Sequence, residues 1–498
     1  MKRILCLLCI FVCLLLLPAC GKDAQQDAPV ATEAPTEAPT ASPEPVTMLH
    51  VTEPTDAGTV SALIEQAGTV ETVEIDPGML GNGDIALLLW TYPEVTFRYA
   101  VKLGDTYFPP GVTELSVGDI TVPEIVSALP CLTSLNTVHL GTCTPDEFRE
   151  IRSKLPGIEL TYALTVYGRD VDCSAETLDL SDLETLAPEE MMNALPYLPR
   201  LRTVSLGVRD DLEAAKAFRD AIPSVECTFV YRFTYLGKTV TDDMETLDLS
   251  GIPVTDIDEL KQTIALLPKL NRVEMIGCGP DNETMGALCA AYPDIKFVWE
   301  VDLGYWGKLR TDATAYSTRS RKTDIQVRRK LRDDTVQCLQ YCTDLIALDL
   351  GHQSLTDLSF LRPLKKLRVL ILADNYISDI SVLGELPELE YIELFMNRVE
   401  DVSPLQSLTK LQDLNICSNL VADFKPLCSI KTLRRLWYAR NSYLPEDHAM
   451  LKEALPDCLL NYTVRDGTGD GWRKTSNGKV TEREQWKNAF FEGAPRFE

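Results

Sequence analysis

Apolar residues recur at fixed steps along the C-terminal part of the chain. Leu345, Leu367, Leu389, Leu411 and Leu433 stand 22 residues apart. Leu348, Leu370, Ile392, Leu414 and Leu436 keep the same step, as do Leu350, Leu372, Leu394, Ile416 and Tyr438. Each copy therefore reads L-x-x-L-x-L. A step of two puts alternate side chains on one side of a strand, so each copy predicts a short strand with both leucines in a core. Asn375, Asn397, Asn419 and Asn441 follow the strands, with Gln353 in the first copy. Their amides are placed to turn the chain and to hydrogen-bond the backbone of neighbouring turns. Leu355, Ile377, Val399 and Val421 come next, then Asp357, Asp379, Asp401 and Asp423, and Leu361, Leu383, Leu405 and Leu427 close each copy. A turn of this size cannot bury its apolar face alone, so the copies must stack.

The N-terminal half repeats on a longer period. Val70-x-x-Val73-x-Ile75, Leu135-x-x-Val138-x-Leu140, Leu201-x-x-Val204-x-Leu206 and Leu270-x-x-Val273-x-Met275 are spaced by 65, 66 and 69 residues. A Pro-x-[Ile/Val] marker follows helix-like segments at Pro93, Pro156, Pro223 and Pro293, and a glycine marks a turn at Gly104, Gly168, Gly237 and Gly307. A third strand is expected at Leu115, Leu178 and Leu247, with its fourth copy at Leu348 after an insertion of about 33 residues. On this reading one continuous array runs from about residue 50 to 465. Leu455-Pro456-x-Cys458-x-Leu460-x-Tyr462 echoes Leu155-Pro156-x-Ile158-x-Leu160-x-Tyr162 and reads as a cap.

The pattern L-x-x-L-x-L-x-x-N-x-I-x-D-[LIVF]-x-x-L resembles the leucine-rich repeat. Its 22-residue period, with Asp before an apolar residue, is similar to the internalin subclass. The resemblance implies an α/β repeat fold: a leucine-rich-repeat solenoid with a curved parallel β-sheet and short helices or 3-10 turns on the convex side. It is specific over residues 345–441 and looser before them. Gln353 and Tyr443 depart from the pattern at the two ends. Cys143 and Cys278 fall where the regular turns carry Asn.

The N-terminus carries a different signal. Lys2 and Arg3 precede an apolar run from Ile4 to Leu17, which is too short to span a bilayer. The run ends in Leu17-Pro18-Ala19-Cys20, which resembles the lipobox of bacterial lipoproteins. The resemblance implies cleavage after Ala19 and lipidation of Cys20, testable by palmitate labelling, and places the protein on the extracellular face of the cell membrane. Residues 22–47 are rich in Pro, Ala, Thr and Glu and predict an extended linker. The expected organisation is a signal peptide at 1–19, a lipidated Cys and linker at 20–47, divergent long-period repeats at 48–344, regular repeats at 345–443, and a C-terminal cap and tail at 444–498. A locally basic insertion near 308–340 contains Lys308, Arg310, Arg319, Arg321, Lys322, Arg328, Arg329, Lys330 and Arg332. It reads either as a dock for an acidic partner or as neutralisation of a neighbouring turn.

Composition narrows the function. The chain has 498 residues and a net charge of −26, which argues against a nucleic-acid partner. Its four histidines show no metal-ligand spacing, and no hydrolase, phosphate-loop or dinucleotide fingerprint appears. Neither a metal nor a cofactor is expected, and an enzyme is the least favoured class. Asp466-Gly467-Thr468-Gly469-Asp470-Gly471 faintly suggests a calcium loop but lacks the distal Glu of one, so a glycine-rich turn is the plainer reading. Of 15 cysteines, four precede residue 21, and the other eleven cannot all pair. They read mostly as small buried apolar side chains.

The x positions of the strands point away from the core and form columns along the array. Tyr391, Phe395, Met396, Trp437 and Ile371, with Asp349, Glu393 and Arg435, make a face unusually apolar for a solvated sheet. Exposed aromatic groups mark interaction surfaces. The face is therefore either a ligand-binding surface or a surface covered by the C-terminal tail. The expected function is recognition or adhesion: a surface lipoprotein, monomer favoured, binding a protein or peptide. Glycan or cell-wall polymer binding is the alternative.

Overall fold

The computed structural model describes residues 46–318, 330–464, 467–469 and 471–493. Cys20, the signal peptide, most of the linker and five of the insertion's basic residues (Arg319, Arg321, Lys322, Arg328 and Arg329) lie outside them. No helix among the described residues is long and apolar enough to cross a membrane. The chain divides into two units, residues 1–162 and 163–498.

In the first unit, Met48–Val51, Thr72–Ile75 and Thr96–Arg98 form a parallel three-stranded sheet. Helices Ala57–Ala67 and Asn82–Thr91 connect them, and Val60, Ile64, Ile85 and Leu88 of the helices are buried, as are Val73 and Ile75 of the sheet. Asp56 caps the first helix by accepting from Thr59 N at 2.8 Å. Thr121 and Thr144 begin later helices with reciprocal capping boxes to Glu124 and Glu147. At Gly104, with φ 58°, the chain turns back as an antiparallel hairpin, Val101–Leu103 against Thr106–Phe108.

The second unit repeats this scheme and then regularises. Thr177–Asp179, Thr203–Arg209 and Glu226–Tyr235 run parallel, and a hairpin to Lys238–Thr241 turns at Gly237. Thr246–Asp248, Arg272–Glu274 and Lys296–Val298 form the next parallel sheet, and the hairpin Glu300–Asp302 with Lys308–Arg310 follows. The Pro-x-[Ile/Val] markers fall just before strands, and the marked glycines fall in hairpins, as their spacing requires. The hairpins interrupt the hydrogen-bonded ladder, so the one curved parallel sheet expected from the resemblance is corrected to several. The strands lie in separate sheets.

A seven-stranded parallel sheet closes the unit: Ala315–Ser317, Ala347–Asp349, Val369–Ile371, Tyr391–Glu393, Asp413–Asn415, Arg435–Trp437 and Leu459–Asn461. The strand at Ala315–Ser317 corrects a second expectation. Tyr316 lies 43 residues after Val273, the same step as from Val204 to Leu247, so it is the fourth copy of the third strand. Periodicity missed it because buried Tyr316 replaces leucine and no L-x-x-L frames it. The extra residues therefore follow residue 317, and Lys308 and Arg310 belong to a hairpin.

Each regular turn descends through a 3-10 helix such as Ser381–Glu385 or Ser403–Ser407. Asp379 and Asp401 start these helices by accepting from Ser381 N and Ser403 N at 2.8 Å. The asparagines clamp neighbouring turns. Asn397 Oδ1 accepts from Ile377 N at 3.0 Å, while its Nδ2 donates to Leu372 O and Leu394 O at 2.9 Å. Asn375, Asn419 and Asn441 repeat the pattern. Gln353 does the same work with a longer side chain, accepting from Leu331 N at 2.8 Å. Cys278 keeps part of it, with its thiol 3.1 Å from Leu249 O. The helix Pro445–Ala454 follows the last regular turn, and the strand Leu459–Asn461 pairs with Arg435–Trp437 at the edge of the sheet. Tyr443, the irregular residue of the last turn, packs on Tyr438 and Tyr462 there.

Candidate functional site on the strand face of residues 347–437

The leucines of L-x-L point into the core, so the x residues of successive strands share the opposite face. In the earlier strands that face is polar and open. Thr177 and Asp179 are exposed around buried Leu178, and Thr246 and Asp248 around buried Leu247. In the strands from Val369–Ile371 to Arg435–Trp437 every residue is buried. What covers them is the chain's own C-terminal segment. Ala347, Val369, Ile371, Tyr391, Phe395, Cys417 and Trp437 form one cluster with Val464, Trp472 and Phe491.

Trp472 sits at the centre of this contact. Its ring lies 5.4 Å from Tyr391, 5.2 Å from Trp437 and 4.3 Å from the guanidinium of Arg435. Its indole N–H donates to Glu393 Oε1 at 2.8 Å, and its carbonyl accepts from Arg435 Nη1 at 2.8 Å. The helix Glu482–Ala489 lies on the same face. It buries Glu484, Lys487 and, one turn beyond, Phe491, and Arg483 stacks 4.1 Å from Trp486. Arg368 stacks 5.0 Å from Phe490.

Two fully buried carboxylates organise the charges. Glu393 pairs with Arg473 and accepts from Tyr391 Oη. Asp413 lies between Arg435 of the face and Arg483 of the tail, whose Nε donates to Asp413 Oδ2 at 2.7 Å. Burial alone would raise the Glu393 carboxyl. The charges of Arg473 and Lys487, with the hydrogen bonds from Arg473 and Tyr391, instead hold it at about 2. Asn415 Nδ2 donates to Gly467 O, and Trp437 Nε1 to Gly469 O at 3.3 Å. A Cβ on Gly467 would meet the Phe395 ring at 2.4 Å, so this close approach requires glycine.

The eight sequence-predicted site residues therefore separate. Tyr391, Glu393, Phe395, Arg435, Trp437 and Ile371 come together beneath the tail. There the apolar columns meet Val464, Trp472 and Phe491. Asp349 is half-buried and bonded to Ser317 Oγ at 3.0 Å and to Gly351 N at 3.1 Å. Met396 stands apart. It adopts φ 59°, the left-handed position that precedes each asparagine, and remains 49% exposed. Trp472, Arg473, Arg483 and Lys487 were not foreseen. The signal available was two tryptophans and an i, i+3, i+7 stripe in a polar tail.

Beside Phe490, Glu492 and Gly493 of the tail the strand face becomes ionic. Arg272, Glu274, Arg310 and Asp312 interlock, with Arg272–Asp312 at 2.5 Å and Arg310–Asp312 at 2.9 Å. The two arginines hold the Asp312 carboxyl at about 2 through hydrogen bonds and charge, Arg310 foremost and against burial. A cleft of about 450 Å³ opens there, lined by Glu300, Lys308, Arg310, Asp312, Ala315 and Phe490 among others. Among the described residues no cluster of His, Cys, Asp or Glu is arranged to hold a metal. The cysteines offer no activated thiol among those that shift. Burial pushes Cys143, Cys227 and Cys338 up to about 11 and Cys458 to about 12.

The family model of leucine-rich repeats matches residues 365–407, in two copies. This stretch is leucine-rich repeat. Among solved structures, an internalin C2 of Listeria monocytogenes shares 20% identity, covering 32% of this chain and 76% of its own, with a TM-score of 0.23. An internalin of the same organism shares 15% identity over 79% of this chain and 89% of its own, with a TM-score of 0.23. A leucine-rich-repeat protein of Leptospira interrogans shares 14% identity over 80% and 91%, with a TM-score of 0.24. No curated protein matches the chain. The leucine-rich-repeat solenoid itself rests on the register of its strands and the amide clamps between turns.

Proposed function

We propose that this chain is a cell-surface lipoprotein, anchored through Cys20 to the extracellular face of a bacterial membrane, whose leucine-rich-repeat solenoid binds a protein or peptide ligand. The observation that carries the binding reading is the occupied face of residues 347–437. That face holds a non-repeat segment through tryptophan, tyrosine and arginine, the residues that dominate protein recognition. The anchor reading is supported by Leu17-Pro18-Ala19-Cys20 and by the Pro/Ala/Thr/Glu linker that separates it from the repeats. The ionic strand face and its cleft supply a second, open surface with both signs of charge.

Proximity labelling on intact cells tests the function. The full chain fused to a labelling enzyme should enrich a small set of surface proteins, and Cys20→Ala should lose both palmitate incorporation and that set. Labelling no different from a secreted control, or capture by purified wall polysaccharide with no protein partner, would sink the reading.

A further inference from the structure

The tail sits on the solenoid without being part of its ladder. The sheet is already closed by Leu459–Asn461 and the helix Pro445–Ala454, both ahead of the tail in sequence. Among the described residues 467–493, the one backbone bridge joins Lys474 to Val480 within the tail itself. The hydrogen bonds described from the face to the tail backbone come from side chains: Asn415 to Gly467, Trp437 to Gly469, and Arg435 to Gly471 and Trp472. A terminal cap that shields the last layer is what a solenoid requires. A cover over the strand face is not.

The chemistry of the contact is also that of recognition rather than of a core. Well-packed apolar residues stabilise a permanent interior at least as well as buried ion pairs do. Here Glu393 and Asp413, both fully buried, each take an arginine from the tail, ten residues apart at Arg473 and Arg483. The fit is incomplete. Arg435 Nη2 and Glu484 Oε2 are buried without a hydrogen-bond partner among the described residues. Residues 467–493 carry five basic residues, Arg473, Lys474, Lys479, Arg483 and Lys487, against four acidic ones, Asp470, Glu482, Glu484 and Glu492, so the segment is near neutral in a chain at −26.

We infer that the strand face of residues 347–437 is a peptide-recognition groove, and that residues 467–493 are its resident and exchangeable ligand. The ligand class follows from the contacts. It is a segment with a tryptophan followed by an arginine, as in Trp472-Arg473, and a second arginine on a helix that reaches Asp413. A partner carrying this pattern takes the groove by displacing the tail. The inference deepens the binding function proposed above and rests on it for its biological setting, though not for its test.

The test uses the whole chain with a protease recognition sequence inserted between Val464 and Gly467. After cleavage, a fluorescent synthetic copy of residues 467–493 is added and its anisotropy is followed. The expected result is incorporation that excess unlabelled copy reverses, while circular dichroism keeps the solenoid's signal. A copy carrying Arg473→Ala, or a chain carrying Glu393→Gln, should bind about tenfold more weakly or worse. Three results would overturn the inference. These are a cleaved chain that unfolds, a folded one that takes up no labelled copy, or equal binding by the Arg473→Ala copy. Each would leave the partner survey on intact cells unaffected, so the two proposals fail separately.

Discussion

The strands Thr177–Asp179 and Tyr391–Glu393 are built on one spacing and meet different fates. Both bury two inward aliphatic side chains, Leu178 and Leu180 in the first and Ile392 and Leu394 in the second, and both have parallel neighbours in register. At the first, the outward residues are threonine and aspartate, and they face water. At the second they are tyrosine and glutamate, and both are fully buried. The leucines specify the solenoid in either case. The x residues decide whether the sheet's second face is solvent, ionic rim or interface. A repeat motif thus defines half of each strand, and the other half is free to be specified by whatever lies on it.

The contrast can be broken most strongly at Trp472. Trp472→Ala should cost about 3–5 kcal/mol of tail docking, in the range for a large buried aromatic. Hydrogen exchange should speed up across residues 467–493 and the strand face at 391–437, and stay unchanged at Thr177–Asp179. Slightly smaller is Glu393→Gln, which strands Arg473 in a buried site and should cost about 3 kcal/mol, read as a lowered midpoint for tail release in urea. Asn397→Ala acts on the other half of the strand. It takes the buried acceptor from Ile377 N and one of two amide donors from Leu372 O and from Leu394 O, and should cost about 1–3 kcal/mol of solenoid stability, read as a lower melting temperature. Asp179→Asn, on the open face, should change stability by no more than about 0.5 kcal/mol.

Acid sharpens the same comparison. The Glu393 carboxyl lies at about 2 in the folded chain against an ordinary 4.5. Its contribution to docking is complete above pH 4.5 and is lost as pH falls toward 2. Tryptophan fluorescence should therefore report a docked tail at pH 5 and progressive loosening below pH 4. The Glu393→Gln chain should lack this component of the acid response. A wild-type transition centred near pH 6 would contradict the assignment.

The solenoid was legible in the sequence because its information is local. Leucines at steps of three and two, and an asparagine three residues on, fix strand and turn within one 22-residue copy, and stacking follows from the apolar face left over. Tyr316 escaped because the frame around it had lost its leucines, although the step of 43 residues still marked it. The covered face was half legible. Its aromatic columns announced burial or binding, but Trp472 and Arg473 reach Glu393 across 79 and 80 residues of sequence, with no period to connect them. The anchor at Cys20 remains a sequence inference about residues outside the described ones.

Hydroxyl-radical footprinting of the full chain in solution tests the central claim most directly. Trp90, 82% exposed on a helix of the first unit, is the internal standard. The account predicts heavy labelling of Trp90 with Tyr391, Trp437 and Trp472 protected. Labelling of Tyr391 and Trp437 at the rate of Trp90 would show an uncovered face and contradict it.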